Sequence, residues 1–495
     1  MVSGERTFLE YLREYAEASP RKPLLGCPQG WLTAEQVLAL VETTAWHLRQ
    51  QGIGSGDLVA LRTTRSRESV LIILALQALG AVAVLTEPHT DASGFLESCG
   101  VKFPVRAIVS NGPTVHPIWD GRGLTLTKSG TDTEIPMDPF ALEPHGFREE
   151  ALDPKAPGFV IFTSGSTGDR KAVVLNQYAL AANLLDAHPL GGYLEEDIAL
   201  GVLPLDHVFG LVLMAGICVL GYRLYLPEQI DVPTILSAIE KERITRMNGV
   251  PSLYLALARQ KAGYDLSSLH AGFIGGGPCT PEAFREIEAE LDMTLVSAYG
   301  MSECVGITSS SWRDPLEKRS TTVGRFYPRN RGKILLEDGT EAPTGVEGEI
   351  CVDGHARMLG YYGGAASQQD LLHTGDMGYL DAEGYVHISG RKKDIIIRNG
   401  VNLSPRRIEN ALLSLPQVSQ AAVVGLPDPQ CGELPYAMVV ASGCTEGELL
   451  AQLQPLLTRN EMPAGVYFTD SLPLTPSGKL HKYQIREVLQ SWKNL

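Results

Sequence analysis

The stretch FTSGSTGDRKAVVL, residues 162–175, gathers glycines, hydroxyl side chains and a lysine within a few positions. Such a loop can cradle phosphate with backbone N–H groups, and Lys171 supplies a counter-charge. It is not a Walker loop. That motif, GxxxxGK[ST], puts the lysine directly after a glycine and opens a helix. Here Asp169 and Arg170 separate Gly168 from Lys171. GFVIF before the loop and KAVVL after it are both β-like, so the segment reads as a glycine-rich hairpin. The same letters also fit an ordinary surface turn.

Three more clusters carry usable chemistry. SAYGMSECVG (297–306) follows an apolar run. In it Tyr299 can offer a flat face to a purine, Ser302 can donate to a phosphate, and Glu303 can hold Mg²⁺. HTGDMGYLDAEGYVHISGRKKD (373–394) sets Asp376 in a Thr-Gly-Asp turn, with Arg391 further on. An aspartate so placed can accept two ribose hydroxyls, or simply cap its own backbone. PLTPSGKLHKYQIRE (473–487) puts Lys479 after Ser-Gly near the C-terminus, where most lysines are merely solvated.

Taken in order, TSGSTGxxK, YGxSE, TGD…GRxKD and PxTxSGK resemble the core motifs of the adenylate-forming superfamily. That group holds acyl-CoA synthetases, aryl-acid ligases, nonribosomal peptide adenylation domains and luciferases. The resemblance spans roughly 159–487 and is nearest in texture to acyl- or aryl-CoA ligases. It implies ATP-dependent conversion of a carboxylic acid to an acyl-adenylate, with release of pyrophosphate, then transfer to a thiol. The cofactors it implies are ATP and Mg²⁺, with CoA or a phosphopantetheine as acyl acceptor. By the same resemblance Thr163, Ser164, Gly165, Ser166, Thr167, Gly168 and Lys171 enclose the β- and γ-phosphates. Tyr299 stacks on adenine, flanked by Ser297, Ala298 and Gly300, with Gly275, Gly276 and Gly277 beside it. Ser302 contacts the α-phosphate and Glu303 is the metal ligand. Asp376 and Arg391 hold the ribose, and Lys479 bridges the acid and the α-phosphate. Lys393 is the hinge about which a small C-terminal domain turns, bringing the hairpin at Asn399-Gly400 toward the reaction. LPLDHVFG (203–210) resembles the acyl-pocket segment of CoA ligases, with His207 at the thiol channel. Phe209, Val250, Gly276, Ala298, Met301 and Val305 are the expected pocket lining.

Five positions depart from the family pattern. Arg170 and Ala172 replace Pro and Gly around Lys171. Ser297 stands where Asn or Gln is common, and Ser302 replaces Thr. Ile397, with Arg398 beside it, stands where thioester-forming members often carry Lys. Amino-acid-activating members bind the α-amine with an Asp that falls here at Leu205, one residue from Asp206, which favours an acid without that amine. Two other readings remain. One is a stand-alone amino-acid or aryl-acid adenylation enzyme that loads a carrier protein. The other is a non-catalytic acyl-nucleotide-binding member, against which the intact Lys171, Glu303, Asp376, Arg391 and Lys479 argue.

These residues need a frame. Apolar runs at 57–63, 106–110, 158–162, 197–204, 245–250, 270–276 and 294–300 alternate with helical patterns at 33–51, 68–79, 233–244 and from Pro281. That alternation predicts an α/β fold of mainly parallel layers. From about 320 the texture changes to short strands and Gly/Pro turns, a small β-rich part. The expected division is a large domain over 1–390, β-rich from about 320, and a small mobile α+β domain over 391–495. The Asn-Gly of DIIIRNGVNLS predicts a hairpin in the latter.

Composition narrows the partners. A net charge of −15 argues against nucleic acid and against an anionic membrane surface. The eight cysteines are scattered, with no CxxC, and read as reduced thiols of a cytoplasmic protein. The N-terminus lacks the apolar core of a signal peptide. The most apolar run, 198–220, contains Pro204, Asp206 and His207 and is expected to be a buried strand-loop-helix rather than a membrane span. No oligomeric state is specified.

Overall fold

The computed structural model describes residues 5–87, 105–111, 124–128, 134–148, 151–163, 170–364, 371–474 and 480–493. They form two compact units. The first draws on the chain up to 331 and takes in 353–364. The second draws on 332–352 and everything described from 371 onward.

The first unit is α/β, built on two large sheets. One runs Arg325–Phe326, Cys304–Ser309, Thr294–Met301, Ala271–Ile274, Arg246–Met247, Ile198–Leu200, Arg223–Tyr225, Pro23–Cys27, Gly30–Thr33. From Thr294–Met301 through Pro23–Cys27 every neighbour is parallel. Antiparallel strands close both edges. The other sheet has a parallel centre of Phe159–Phe162, Val82–Thr86, Leu58–Arg62 and Val105–Asn111. Strand Ala172–Leu175 returns antiparallel to Phe159–Phe162, and Gly360–Tyr361 pairs with it as the edge. The hairpin expected around the phosphate-type loop is therefore present.

Parallel strands covered on both faces read as unbroken apolar runs. VAVLT and AGFI are buried at every position. The helix Arg67–Ala78 is buried all round, as an inner layer must be, and Ser66 caps its start. The apolar run near 200 resolves into strand Ile198–Leu200, a loop holding Pro204, Asp206 and His207, and helix Val208–Val219. Among the described residues no helix is long and apolar enough to cross a membrane. Two features differ from the sequence reading. Of TRMNGV only Arg246–Met247 is strand, and a helix, Pro251–Gln260, starts right after it. Arg246 is fully buried, its guanidinium on the carbonyls of Gly191 and Gly192 and over the Tyr193 ring.

The second unit opens with an antiparallel sheet in which Gly348–Gly354, Leu372–Leu380 and Val386–Arg391 follow one another. A single turn, Lys392–Asp394, leads to a five-stranded sheet. Its hairpin, Ile396–Arg398 with Val401–Leu403, turns on Asn399 (φ 53°) and Gly400 (φ 75°). Two central residues at positive φ are what a two-residue primed turn needs, and Asn-Gly supplies them. Helices Pro405–Leu413, Glu446–Leu453 and Lys482–Lys493 cover long strands Val418–Asp428 and Gly432–Ala441.

Candidate active site

In open α/β sheets, ligands bind outside the carboxyl ends of the strands. At that edge the first unit brings together several of the expected nucleotide residues. Gly249 bridges to Ile274, and the Gly275 N–H donates to the Gly249 carbonyl at 3.2 Å. A β-carbon on Gly275 would lie 2.6 Å from the Ala298 carbonyl oxygen. Backbone therefore passes backbone there with no room for a side chain. Gly276 takes φ 76° and is exposed, with Val250 its near neighbour. Val250, Gly275-Gly276 and Ala298 thus converge. Phe209 and Ala298 pack on one small cluster around Phe273 and Val296. Tyr299 follows on the same strand, half-buried. The Ser297 hydroxyl is committed elsewhere, donating to the Arg319 carbonyl at 2.6 Å.

Strands Thr294–Met301 and Cys304–Ser309 pair with Met301 opposite Cys304, so Ser302 and Glu303 form the tip of a hairpin. Val305 is buried behind it. Glu303 is 9% exposed, and its Oε1 accepts from the Tyr361 hydroxyl at 2.9 Å. Burial, with the Glu303 charge adding, pushes the Tyr361 phenol well above its ordinary value. It therefore stays a donor. The Lys171 ammonium sits 4.9 Å from the centre of the same ring, a cation–π distance. Tyr361 reaches this place because its short strand pairs with Ala172–Leu175, Tyr361 opposite Val173. Tyr361 is a residue the sequence reading missed. Its signal, LGYYGG, looks like an ordinary turn. At the loop's base, Thr163 and Lys171 exchange two bonds: Thr163 N–H to the Lys171 carbonyl, and Lys171 N–H to the Thr163 hydroxyl. Arg170, one of the departures, pairs with Glu87 at 2.7 Å.

His207 is the N-cap of helix Val208–Val219, without a side-chain cap bond. LPLDHVFG folds back so tightly that a β-carbon on Gly210 would lie 2.0 Å from the Pro204 carbonyl oxygen. Burial pushes the neighbouring Asp206 carboxyl up, against the opposing charges of His207 and Arg65 and with Glu87 adding to the rise. Leu205 is buried.

In the second unit, Asp376 and Arg391 face each other across paired strands, Arg391 Nε 2.7 Å from Asp376 Oδ1. Asp376 is 4% exposed, and its backbone N–H donates to the Thr374 hydroxyl oxygen at 3.0 Å, with Gly375 at φ 72° between them. Lys393 lies in the turn Lys392–Asp394 and is exposed. Ile397 is exposed. Arg398 does not stand in for a lysine there: its guanidinium is held by the carbonyls of Arg459, Asn460 and Met462. Ser164, Gly165, Ser166, Thr167, Gly168 and Lys479 lie outside the described residues.

The first unit thus carries a glycine-lined strand edge and, at a hairpin tip, a carboxylate bonded to a tyrosine whose ring meets a lysine; the second, by itself, carries an Asp–Arg pair whose aspartate is buried and whose arginine is half-exposed. The AMP-binding enzyme family model matches residues 12–362, and the AMP-binding enzyme C-terminal domain model matches 407–479. A putative acyl-CoA synthetase, YngI of Bacillus subtilis, is 30% identical over 96% of each chain. Sulfoacetate–CoA ligase of Cupriavidus necator is 30% identical over 94% of each. ATP-bound MatB from Rhodopseudomonas palustris has the same fold, with TM-score 0.86 and 24% identity, over 98% of this chain and 99% of that one. The chain belongs to the AMP-binding enzyme family. It is an AMP-forming acid–thiol ligase: ATP activates a carboxylic acid as its acyl-adenylate, and a thiol then takes the acyl group.

Proposed function

We propose that the acid is a small carboxylic acid without an α-amine and that the thiol is CoA. One observation carries the first half. Leu205 is buried, and the carboxyl next to it, Asp206, is pushed up by burial, so neither offers the firm anion an ammonium needs. Relatives named as CoA ligases support the second half.

The proposed roles are those the family resemblance implies. Ser164–Gly168 and Lys171 grip the outer phosphates, and Ser302 the α-phosphate. Tyr299 shelves the adenine against Gly275–Gly277. Asp376 and Arg391 take the ribose hydroxyls. A carboxylate nearing an anionic phosphate is repelled, and Lys479 lowers that repulsion and stabilises charge in the transition state. No general base is needed, since the acid is already ionised at neutral pH. The Glu303 donor set fits Mg²⁺, which favours one or two carboxylates plus substrate phosphates. When bound, that ion supplies charge neutralisation on the phosphates. Tyr361 holds Glu303 in one rotamer for it. His207 lines the thiol's route. Residues 391–495 then turn about Lys393 between the two half-reactions.

The test is acid-dependent ATP–pyrophosphate exchange over a panel of small acids and amino acids. Exchange with the acids alone supports the reading, and exchange confined to amino acids overturns it. Product formation with CoA, compared with a phosphopantetheinylated carrier protein, then decides the acceptor. Turnover with the carrier alone would refute CoA.

A further inference from the structure

Away from the residues given roles above, three metal-type donors meet in the second unit. On strand Gly348–Gly354, Glu349 and Cys351 are two apart and share a face. Cys351 lies opposite His373 on Leu372–Leu380. The pairing shifts between Glu349 and Cys351, and such irregularities re-aim side chains. The His373 Nδ1 lies 3.3 Å from Cys351 Sγ and 3.2 Å from Glu349 Oε2. All three donor atoms fall within 4.8 Å of one another.

Hydrogen bonding alone uses this geometry poorly. One ring nitrogen faces two groups, yet carries at most one proton. A tetrahedral cation uses it fully. With about 2.3 Å to sulfur and 2.0–2.2 Å to nitrogen and oxygen, the donors of a zinc site sit roughly 3.3–3.6 Å apart. The donor set of thiolate, imidazole and carboxylate suits a borderline cation such as Zn²⁺ and not Mg²⁺, which avoids sulfur. Glu349 and Cys351 are buried while His373 is half-exposed, which leaves an entry path and a fourth position for water. The Lys392 ammonium is 2.9 Å from the same Glu349 Oε2.

We propose that Glu349, Cys351 and His373 form a three-ligand site for a zinc-class divalent cation, occupied in competition with Lys392. Binding requires the Cys351 thiol to give its proton to solvent as the metal–sulfur bond forms. The cation also takes over the oxygen that Lys392 holds. Lys392 directly precedes Lys393, so occupancy releases a side chain beside the proposed hinge. That last link rests on the hinge reading, whereas the binding test does not.

The experiment titrates the full chain with Co²⁺, without ATP, then with Zn²⁺. The expected result is one equivalent of Co²⁺ giving thiolate-to-metal charge-transfer absorption, which Zn²⁺ displaces. Cys351→Ser removes the band. His373→Ala, a half-exposed site that leaves the core intact, weakens binding by at least the about 10- to 100-fold that losing even an outer-shell partner costs. Lys392→Met tightens it several-fold by removing the competitor. The proposal is overturned by absence of the thiolate band, by a band that survives Cys351→Ser, or by affinity unchanged in His373→Ala. Unchanged affinity in Lys392→Met refutes the competition.

Discussion

Tyr361→Phe is the sharpest probe of how this ligase positions Glu303, the carboxylate proposed to hold Mg²⁺. The change deletes one oxygen and keeps the ring, so the Lys171 contact at 4.9 Å survives. What goes is the 2.9 Å bond to Glu303 Oε1. The acceptor is a carboxylate only 9% exposed, so water replaces the lost donor poorly. A hydrogen bond to a charged group is worth about 1.5–3 kcal/mol. At 1.36 kcal/mol per decade that is roughly 10- to 100-fold. If Tyr361 fixes the Glu303 rotamer, the loss falls on Mg²⁺ use. Pyrophosphate exchange should then need about 10-fold more free Mg²⁺ for half-saturation and recover as Mg²⁺ is raised. Tyr361→Leu removes the ring as well, and should weaken ATP binding by a further ~0.5–1 kcal/mol, the scale of an exposed cation–π contact. An exchange rate with unchanged Mg²⁺ dependence in Tyr361→Phe would falsify the positioning argument.

Other expectations follow from the roles proposed above and from local geometry elsewhere in the chain. Lys479→Ala should abolish most exchange while leaving ATP binding, measured by calorimetry, nearly intact; full exchange in that variant removes its assigned role. Gly210→Ala must push a β-carbon against the Pro204 carbonyl. It should cost about 1–3 kcal/mol, the range for overpacking, read as a lower urea midpoint; an unchanged midpoint would show the loop to be slack. Asp353 gives a pH test. Burial opposes its ionisation, but bonds from Arg331 and Arg357 override it and hold the carboxyl below its ordinary value. A depressed carboxyl stabilises the fold above its unfolded value of about 3.9 and loses that contribution as pH falls through the folded value. Asp353→Asn should therefore cost about 1–2 kcal/mol at pH 7, discounted because Arg331 is 80% exposed. The gap should close below pH about 4 in chemical unfolding; a pH-independent gap would point to packing instead.

Much of this molecule is legible in the sequence where chemistry and local geometry coincide. Asn399-Gly400 announces its hairpin because few other pairs accept two positive φ values. The strands GFVIF and KAVVL read as a hairpin because their apolar runs flank a loop. Asp376 and Arg391 stand out as types, and the register of their strands brings them together. What stays hidden depends on distant pairing. Tyr361 meets Glu303 and Lys171 only because its strand joins an edge that ends far upstream. Arg246 lies in the run TRMNGV with no local sign of a partner, and carbonyls of Gly191 and Gly192 hold it in the core. Nothing near Arg398 in the sequence announces that its guanidinium is held by the carbonyls of Arg459, Asn460 and Met462. Each of these is a polar group whose partner lies tens to hundreds of residues away, beyond the reach of periodicity.

The edge strand that delivers Tyr361 also sets a clock for synthesis. Val173 and Tyr361 pair directly, yet about 190 residues of chain separate them. At ribosomal rates of roughly 5–20 residues per second, the edge at Ala172–Leu175 waits about 10–40 s for its partner. Throughout that time an apolar strand next to the glycine-rich loop presents unpaired N–H and C=O groups, the kind of edge that recruits other chains. Slow or stalled translation between these points would lengthen the wait. Yield on expression should therefore respond to growth temperature and chaperone supply more than the stability of the finished enzyme would indicate.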